Sequence, residues 1–179
     1  PTKEQTIAFK QKIQNDPIWF VNNVLKKKTW EKESEILNAI KDYPEVSVKS
    51  CNGSGKTYTA GNAVHWWLTA FEDSVVITTA PTFRQVKELL WREIRSGVVK
   101  GMYPPNVVLD TQINLGDKWF ALGLSSDKPD QFQGFHSNRL LVIVDEASGV
   151  AEEIFQAIDG LNPYRILLLG NPMQNTGRF

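Results

Sequence analysis

The stretch SCNGSGKT, residues 50–57, lies between a short apolar strand predicted over residues 46–48 and a helix predicted over 57–71. It matches the phosphate-binding pattern G-x-x-x-x-G-K-[ST], except that a serine stands in place of the first glycine. Glycines in such a loop turn backbone N–H groups toward an anion, and the following helix points its N-terminal dipole at the same anion. The predicted nucleotide-binding residues here are Ser50, Asn52, Gly53, Ser54, Gly55, Lys56 and Thr57.

Two side chains of this loop carry specific chemistry. Lys56 is predicted to reach the β- and γ-phosphates, and the Thr57 hydroxyl is predicted to coordinate Mg²⁺. The alternative is an ordinary strand-to-helix loop with a surface lysine, because short motifs also occur by chance.

A second motif, LLVIVDE at residues 140–146, reads as a buried strand that ends in two adjacent carboxylates. Open parallel sheets bind ligands at the carboxyl ends of their strands. We expect Asp145 to hold Mg²⁺ through water and Glu146 to orient and deprotonate an attacking water. Capping of the next helix would account for one acid but poorly for two, since paired charges at the end of a buried strand are costly without a cation.

A third motif, LLLGNP at residues 167–172, reads as a further buried strand that ends in a polar amide. Asn171 could hydrogen-bond the γ-phosphate or the lytic water and couple hydrolysis to the loop that follows. Asn-Pro is also an ordinary turn signal, so this motif draws its weight from its place one strand after the acid pair.

Short apolar strands alternate with helices from residue 45 onward, which predicts a parallel sheet covered on both faces. The predicted fold is a three-layer α/β P-loop NTPase of the additional-strand, catalytic-glutamate type. A helical lead-in over residues 1–44 precedes a nucleotide-binding core over 45–179, and a hairpin is predicted around Gly116-Asp117. Within the helix after the phosphate loop, we expect Trp66 and Trp67 in the core and His65 on the surface.

Composition narrows the function classes. The 179 residues carry 20 Lys+Arg and 20 Asp+Glu, so the average surface is not that of a general polyanion binder. A single cysteine cannot form an internal disulfide, and no apolar run approaches the roughly 20 residues that cross a bilayer. The absence of an N-K-x-D guanine motif argues against a GTPase.

Several segments beyond these motifs make the chain resemble the ATPase domain of the large terminase subunit of tailed phages. They are DPIWF at 16–20, APT at 80–82 followed by RQV at 84–86, FQGFH at 132–136, and GNP at 170–172. The resemblance spans essentially the whole chain.

The resemblance implies a motor that uses ATP and Mg²⁺ to pump double-stranded DNA into a procapsid. It also implies a ring assembled on the portal protein, a small terminase subunit as partner, and action in the cytoplasm of the infected bacterial host. Members of the family carry a nuclease domain, which is expected beyond residue 179.

The family also implies base contacts and an arginine finger. Trp30, Glu33 and Gln85 are the implied nucleotide contacts, although the family often has glutamine where this chain has Glu33. The phosphate loop lacks the arginine that many members carry, so a finger must come from elsewhere or from a neighbouring subunit. Arg139 and Arg84 are the candidates, against an ordinary surface or ion-paired role for each.

Two other functions remain open from the sequence. A helicase-like or other DNA-dependent ATPase shares the phosphate loop and the acid pair. A non-hydrolysing assembly module that uses nucleotide only as a switch is the second, and Glu146 argues against it.

Overall fold

The computed structural model describes residues 2–51, 53–172 and 178–179. Its helices are α1 (Lys3–Asn15), α2 (Pro17–Asn23), α3 (Glu31–Asp42), α4 (Lys56–Ala70), α5 (Phe83–Gln85), α6 (Trp91–Ser96) and α7 (Glu152–Gly160). Its strands are β1 (Glu45–Lys49), β2 (Val75–Thr79), β3 (Gln112–Gly116), β4 (Trp119–Gly123), β5 (Leu140–Val144) and β6 (Arg165–Gly170). Short 3₁₀ turns cover Pro129–Phe132 and Ala147–Gly149.

The strands form one sheet in the order β1-β6-β5-β2-β4-β3. Every pair is parallel except β3 and β4, which form the predicted antiparallel hairpin. β6 lies between the strand that leads into the phosphate loop and the strand that ends in the acid pair. The predicted α/β class with a mostly parallel sheet is therefore confirmed, and the third motif lies between the first two.

Two separate cores give the chain its three layers. Alternate residues of β5 point to opposite faces, with Leu141 and Ile143 on one side and Leu140, Val142 and Val144 on the other. Helices α1 to α4 and α6 cover the first face. Helix α7 and the two 3₁₀ turns cover the second face. A strand buried on both faces needs no alternation of polar residues, which explains the continuous apolar run.

The lead-in helices begin where the sequence places their caps. Asp16 accepts a hydrogen bond from the Trp19 N–H at 2.8 Å, and Pro17 occupies the first turn of α2. Phe20 and Val21 of α2 and Leu37 and Ile40 of α3 are buried in the same core as α4. The lead-in therefore packs onto the helix that follows the phosphate loop.

The prediction for His65 is wrong, because this residue is fully buried rather than on a helix surface. α4 is covered by the sheet and by α1, α2, α3 and α6, so it has no solvent face beyond its first turns. The tryptophans Trp66 and Trp67 are in the core as predicted.

Two details of the chain were not anticipated. The helix predicted over residues 83–96 contains a π-helical segment, Val86–Leu90, between α5 and α6. The polar loop before β5 contains Phe132, which is fully buried in the second core. Among the described residues, no helix combines the length and the apolar character needed to cross a membrane.

Candidate nucleotide site

The phosphate loop takes a conformation that requires its glycines. Gly53 and Gly55 have φ of 76° and 83°, in the left-handed region that residues with a β-carbon seldom adopt. The Ser50 and Ser54 hydroxyls are 2.7 Å apart, so the serine at the first-glycine position ties the two ends of the loop together. Asn52, predicted to bind nucleotide, lies outside the described residues.

Lys56 lies inside the loop rather than on the surface, with only 6% of the residue exposed. Its Nζ donates to the backbone carbonyls of Ser50 at 2.9 Å and Cys51 at 2.7 Å. It also lies 3.4 Å from the Asn171 Oδ1 at the end of β6. A buried ammonium held by carbonyl oxygens can transfer those hydrogen bonds to phosphate oxygens without a change of position.

Thr57 and Asp145 come together from α4 and β5. The Thr57 hydroxyl donates to the Asp145 Oδ2 at 3.1 Å. Burial raises the pKa of Asp145, and the Glu146 charge raises it further, while Thr57 and Lys56 act in the opposite direction. A hydroxyl and a carboxylate oxygen are ligands that Mg²⁺ accepts, so this pair suits a magnesium site.

Glu146 is held in a strained backbone conformation, with φ of 49°. Left-handed backbone in a residue other than glycine costs on the order of 1–3 kcal/mol and is concentrated at functional sites. Its N–H donates to the Asp145 Oδ1 at 3.0 Å, which ties the two acids together. The residue lines a cavity of about 390 Å³ with Gly53, Ser54, Gly55, Lys56, Thr57 and Tyr58.

A groove of about 370 Å³ runs between α3 and β1 and meets the phosphate loop. Trp30, with 52% of the residue exposed, lies at this groove. The other lining residues are Lys32, Glu35, Ile36, Ala39, Val46, Ser47, Val48, Lys49, Ser50, Ser54 and Lys56. An aromatic ring beside apolar walls and a phosphate loop is a suitable environment for a nucleotide base.

The other two implied base contacts do not line this groove. Glu33 lies on the α4-facing side of α3 and is buried. Gln85 caps α5 by exchanging hydrogen bonds with Thr82, including one from the Thr82 hydroxyl at 2.8 Å. Arg84, the neighbouring finger candidate, is exposed beside Arg92.

Arg139 lies at the start of β5, whereas the acid pair lies at its end. The six residue steps from Arg139 to Asp145 along the strand span about 20 Å. The Arg139 guanidinium lies 4.9 Å from the Phe71 ring and 4.4 Å from the Tyr164 ring. The arginine is thus packed at the sheet edge opposite the phosphate loop of its own chain.

No family model matches the chain. A probable terminase large subunit of Enterobacteria phage P7 is 27% identical over 165 residues, which cover 84% of this chain and 33% of that protein. The chain thus spans about a third of the length of the curated relative it matches.

Solved structures agree in fold. The ATPase domain of the large terminase of Thermus phage P74-26 superposes with a TM-score of 0.55 at 19% identity, covering 87% of this chain and 69% of that chain. A point variant of the same domain superposes with the same TM-score and covers 87% and 70%. The chain has the fold of a large terminase ATPase domain. The predicted resemblance to this family is therefore confirmed in sequence and in fold.

The sequence reasoning missed two features of the site. The first is the hydrogen bond between the Ser50 and Ser54 hydroxyls, which the residue pattern does not show because it depends on how the loop folds. The burial of Glu33 had a signal, because it lies four and seven residues before Leu37 and Ile40, at the spacing of one helix face.

Proposed function

We propose that this chain hydrolyses Mg-ATP as the ATPase domain of a phage DNA-packaging motor. The observation that carries the proposal is the position of Glu146, which lines the same cavity as Lys56 and Thr57. A carboxylate in that position can accept a proton from a water that attacks the γ-phosphate.

The other residues of the site bind and orient the nucleotide. Lys56 exchanges its bonds to the Ser50 and Cys51 carbonyls for bonds to the β- and γ-phosphates, joined by backbone N–H groups of the loop. Thr57 and Asp145 would hold Mg²⁺, which when bound neutralises charge on the phosphate oxygens. Asn171, beside Lys56, is placed to respond to loss of the γ-phosphate and to couple it to the following loop.

The groove beside Trp30 is our proposed site for the base. Stacking of a base on an aromatic side chain is worth about 1–3 kcal/mol. We expect Trp30→Ala to raise the KM for ATP about tenfold and to leave kcat within twofold, as measured by steady-state phosphate release. An unchanged KM would move the base away from this groove.

The similarity to a phage terminase large subunit supports the proposed motor activity, and the shared fold is consistent with it. We propose that the protein acts in the cytoplasm of the infected bacterium and assembles as a ring on the portal of a procapsid. Double-stranded DNA would be its substrate for translocation, and the small terminase subunit its packaging partner. The nuclease domain predicted beyond residue 179 belongs to the same proposal.

ATP turnover by Glu146→Gln tests the assigned base, because glutamine keeps the shape of the side chain but cannot accept the proton. We expect ATP affinity within about threefold of wild type and turnover lowered about 10²–10⁴-fold. Equal turnover would exclude Glu146 as the base. Stimulation of wild-type turnover by procapsids together with DNA is expected of a packaging motor, and its absence would leave an ATPase of another kind.

A further inference from the structure

We propose that Glu33 is a positioning residue that holds the phosphate loop from behind, and not a residue that reads the base. The inference rests on the proposed nucleotide function of this loop. It goes beyond that function by assigning a buried carboxylate a role toward every polyphosphate ligand, whatever its base.

The first support is the face of α3 from which Glu33 projects. Glu33 is 7% exposed and shares the buried face of the helix with Leu37 and Ile40. The groove beside Trp30 is lined by a different face of α3, which includes Lys32 and Ile36. A side chain on the buried face contacts the elements behind the helix and not a base in the groove.

The second support is the contact between Glu33 and Gly55. The Glu33 Oε2 accepts a hydrogen bond from the Trp30 N–H at 3.1 Å, which fixes the carboxylate at the start of α3. The other oxygen, Oε1, faces Gly55, and a β-carbon on Gly55 would collide with it. The φ of 83° favours glycine at position 55, and a side chain there would also have to displace the Glu33 carboxylate.

The third support is a lysine near the buried carboxylate. Lys27 Nζ lies 4.5 Å from the Tyr58 ring centre, 3.1 Å from the Asn62 Oδ1 and 3.8 Å from the Glu93 Oε1. Burial lowers the pKa of Lys27, while the charges of Glu93 and Glu33 oppose that shift. Lys27 therefore pairs with Glu93 and is close enough to Glu33 to interact with it.

These contacts connect the lead-in to the anion site. Gly55 is the N-cap of α4, so its position sets the direction of the N–H groups that face the phosphates. Glu33 holds Gly55 through the shape of its side chain, and loss of that shape loosens the loop. Loss of Glu33 is therefore expected to weaken the binding of ATP, of GTP and of a polyphosphate without a base by the same factor.

The test compares Glu33→Ala with Glu33→Gln, since both lose the charge and only glutamine keeps the volume and an oxygen acceptor. Binding of ATP, GTP and tripolyphosphate is measured by titration calorimetry on the 179-residue chain. We expect Glu33→Ala to bind all three about tenfold more weakly than Glu33→Gln, by the same factor. Equal tripolyphosphate affinity in the two variants would overturn the proposal, and a change only in the ATP-to-GTP ratio would make Glu33 a base reader.

Three further variants separate the possible failures. Lys56→Ala must abolish tripolyphosphate binding, and if it does not, the proposed nucleotide function fails rather than the role of Glu33. Glu31→Ala removes an exposed acid from the first turn of α3 and is expected to bind like wild type. If Glu33→Ala does not fold, Glu33→Asp replaces it, because it keeps the charge but withdraws the oxygens from Gly55. Tripolyphosphate binding by Glu33→Asp at wild-type strength would then overturn the proposal.

Discussion

Both halves of helix α4 carry side chains that form hydrogen bonds, but the two halves use them for opposite purposes. In its first turn, Lys56 and Thr57 are held by groups at the carboxyl ends of β1, β5 and β6, beside a cavity. In its second half, His65, Trp66 and Trp67 are buried without a cavity. Each of the three donates or accepts a hydrogen bond with a fixed backbone carbonyl or hydroxyl.

The difference lies in what a ligand could replace. The hydrogen bonds of Lys56 end on loop carbonyls and Lys56 itself lines the cavity, so phosphate oxygens bound there can take the place of those carbonyls. The Trp66 Nε1–H donates to the Ile13 carbonyl and the Trp67 Nε1–H to the Arg139 carbonyl, both inside packed structure. Polar groups satisfied within the core stabilise the fold, whereas polar groups beside a cavity are available for chemistry.

Of the substitutions that test this difference between the two halves of α4, Lys56→Ala is expected to have the largest effect on ATP turnover. Loss of the cation is expected to lower ATP turnover about 10³-fold, equivalent to about 4 kcal/mol of transition-state stabilisation. The melting temperature is expected to stay near that of wild type, because no bulky core side chain is removed, Cys51 is exposed and Lys56 lines an open cavity. Single-turnover hydrolysis and a thermal melt monitored by circular dichroism measure the two quantities. A variant that unfolds would show that Lys56 serves the fold instead.

Much of the site was predictable because its residues are adjacent in sequence within three motifs. The loop glycines, Lys56, Thr57 and the acid pair each follow a strand, and a parallel sheet brings strand ends to one edge. The strained backbone of Glu146 was not predictable, because it arises from the turn into the 3₁₀ segment and leaves no pattern in the residue types.

Other features depended on contacts distant in sequence. His65 was misplaced because hydrophobic periodicity identifies a buried face only when another face is exposed, and α4 is buried all round. Arg139, a finger candidate because it precedes the acid strand, lies about 20 Å along β5 from the acid pair of its own chain, so a role at a neighbouring subunit stays a prediction. The position of β6 between β1 and β5 was likewise fixed by pairing and not by order along the chain.

The second prediction concerns the buried half of α4 and uses pH. His65 Nε2–H donates to the Ile94 carbonyl at 2.8 Å, so Nδ1 accepts from the Tyr103 hydroxyl at 2.9 Å. Burial lowers the pKa of His65 from 6.5 to about 4, helped by the Lys27 charge, while the Ile94 carbonyl opposes the shift. Between pH 6.5 and 4 the unfolded chain therefore binds a proton that the folded chain does not. The free energy of unfolding is expected to fall by about 3 kcal/mol over that range and to lose no more from this group below it.

Urea titrations at a series of pH values measure this effect, with His65→Gln as the matched control. Glutamine does not titrate. The difference between the two proteins in the pH dependence of the free energy of unfolding therefore reports the imidazole alone, because the carboxylates contribute equally to both. Parallel curves for the two proteins would show that the pKa of His65 in the folded protein equals that in the unfolded chain. ATP turnover per folded molecule at pH 7.5 is expected to be similar in both, since His65 lies outside the nucleotide cavity.

The smallest change in stability is expected from a substitution at the amino end of β5, on the side of the sheet away from the phosphate loop. Arg139→Met keeps the length of the side chain but loses the charge above the Phe71 and Tyr164 rings. We expect a loss of about 1 kcal/mol in the free energy of unfolding, because two cation–π contacts at a partly exposed site contribute about that much. ATP turnover of the unassembled chain is expected to be unchanged, since Arg139 is distant from its own phosphate loop.

Arg165→Met is the matched comparison, because its guanidinium lies 4.3 Å from the same Tyr164 ring and also donates to the Ile40 and Lys41 carbonyls. This variant should lose more stability than Arg139→Met, since it leaves three carbonyls, including that of Tyr164, without this donor. If Arg139→Met instead slows turnover tenfold or more only when assembled on procapsids, with stability unchanged, the arginine acts on the nucleotide of a neighbouring subunit. Arg139 would then contribute to ATP hydrolysis at the phosphate loop of the neighbouring subunit in the ring.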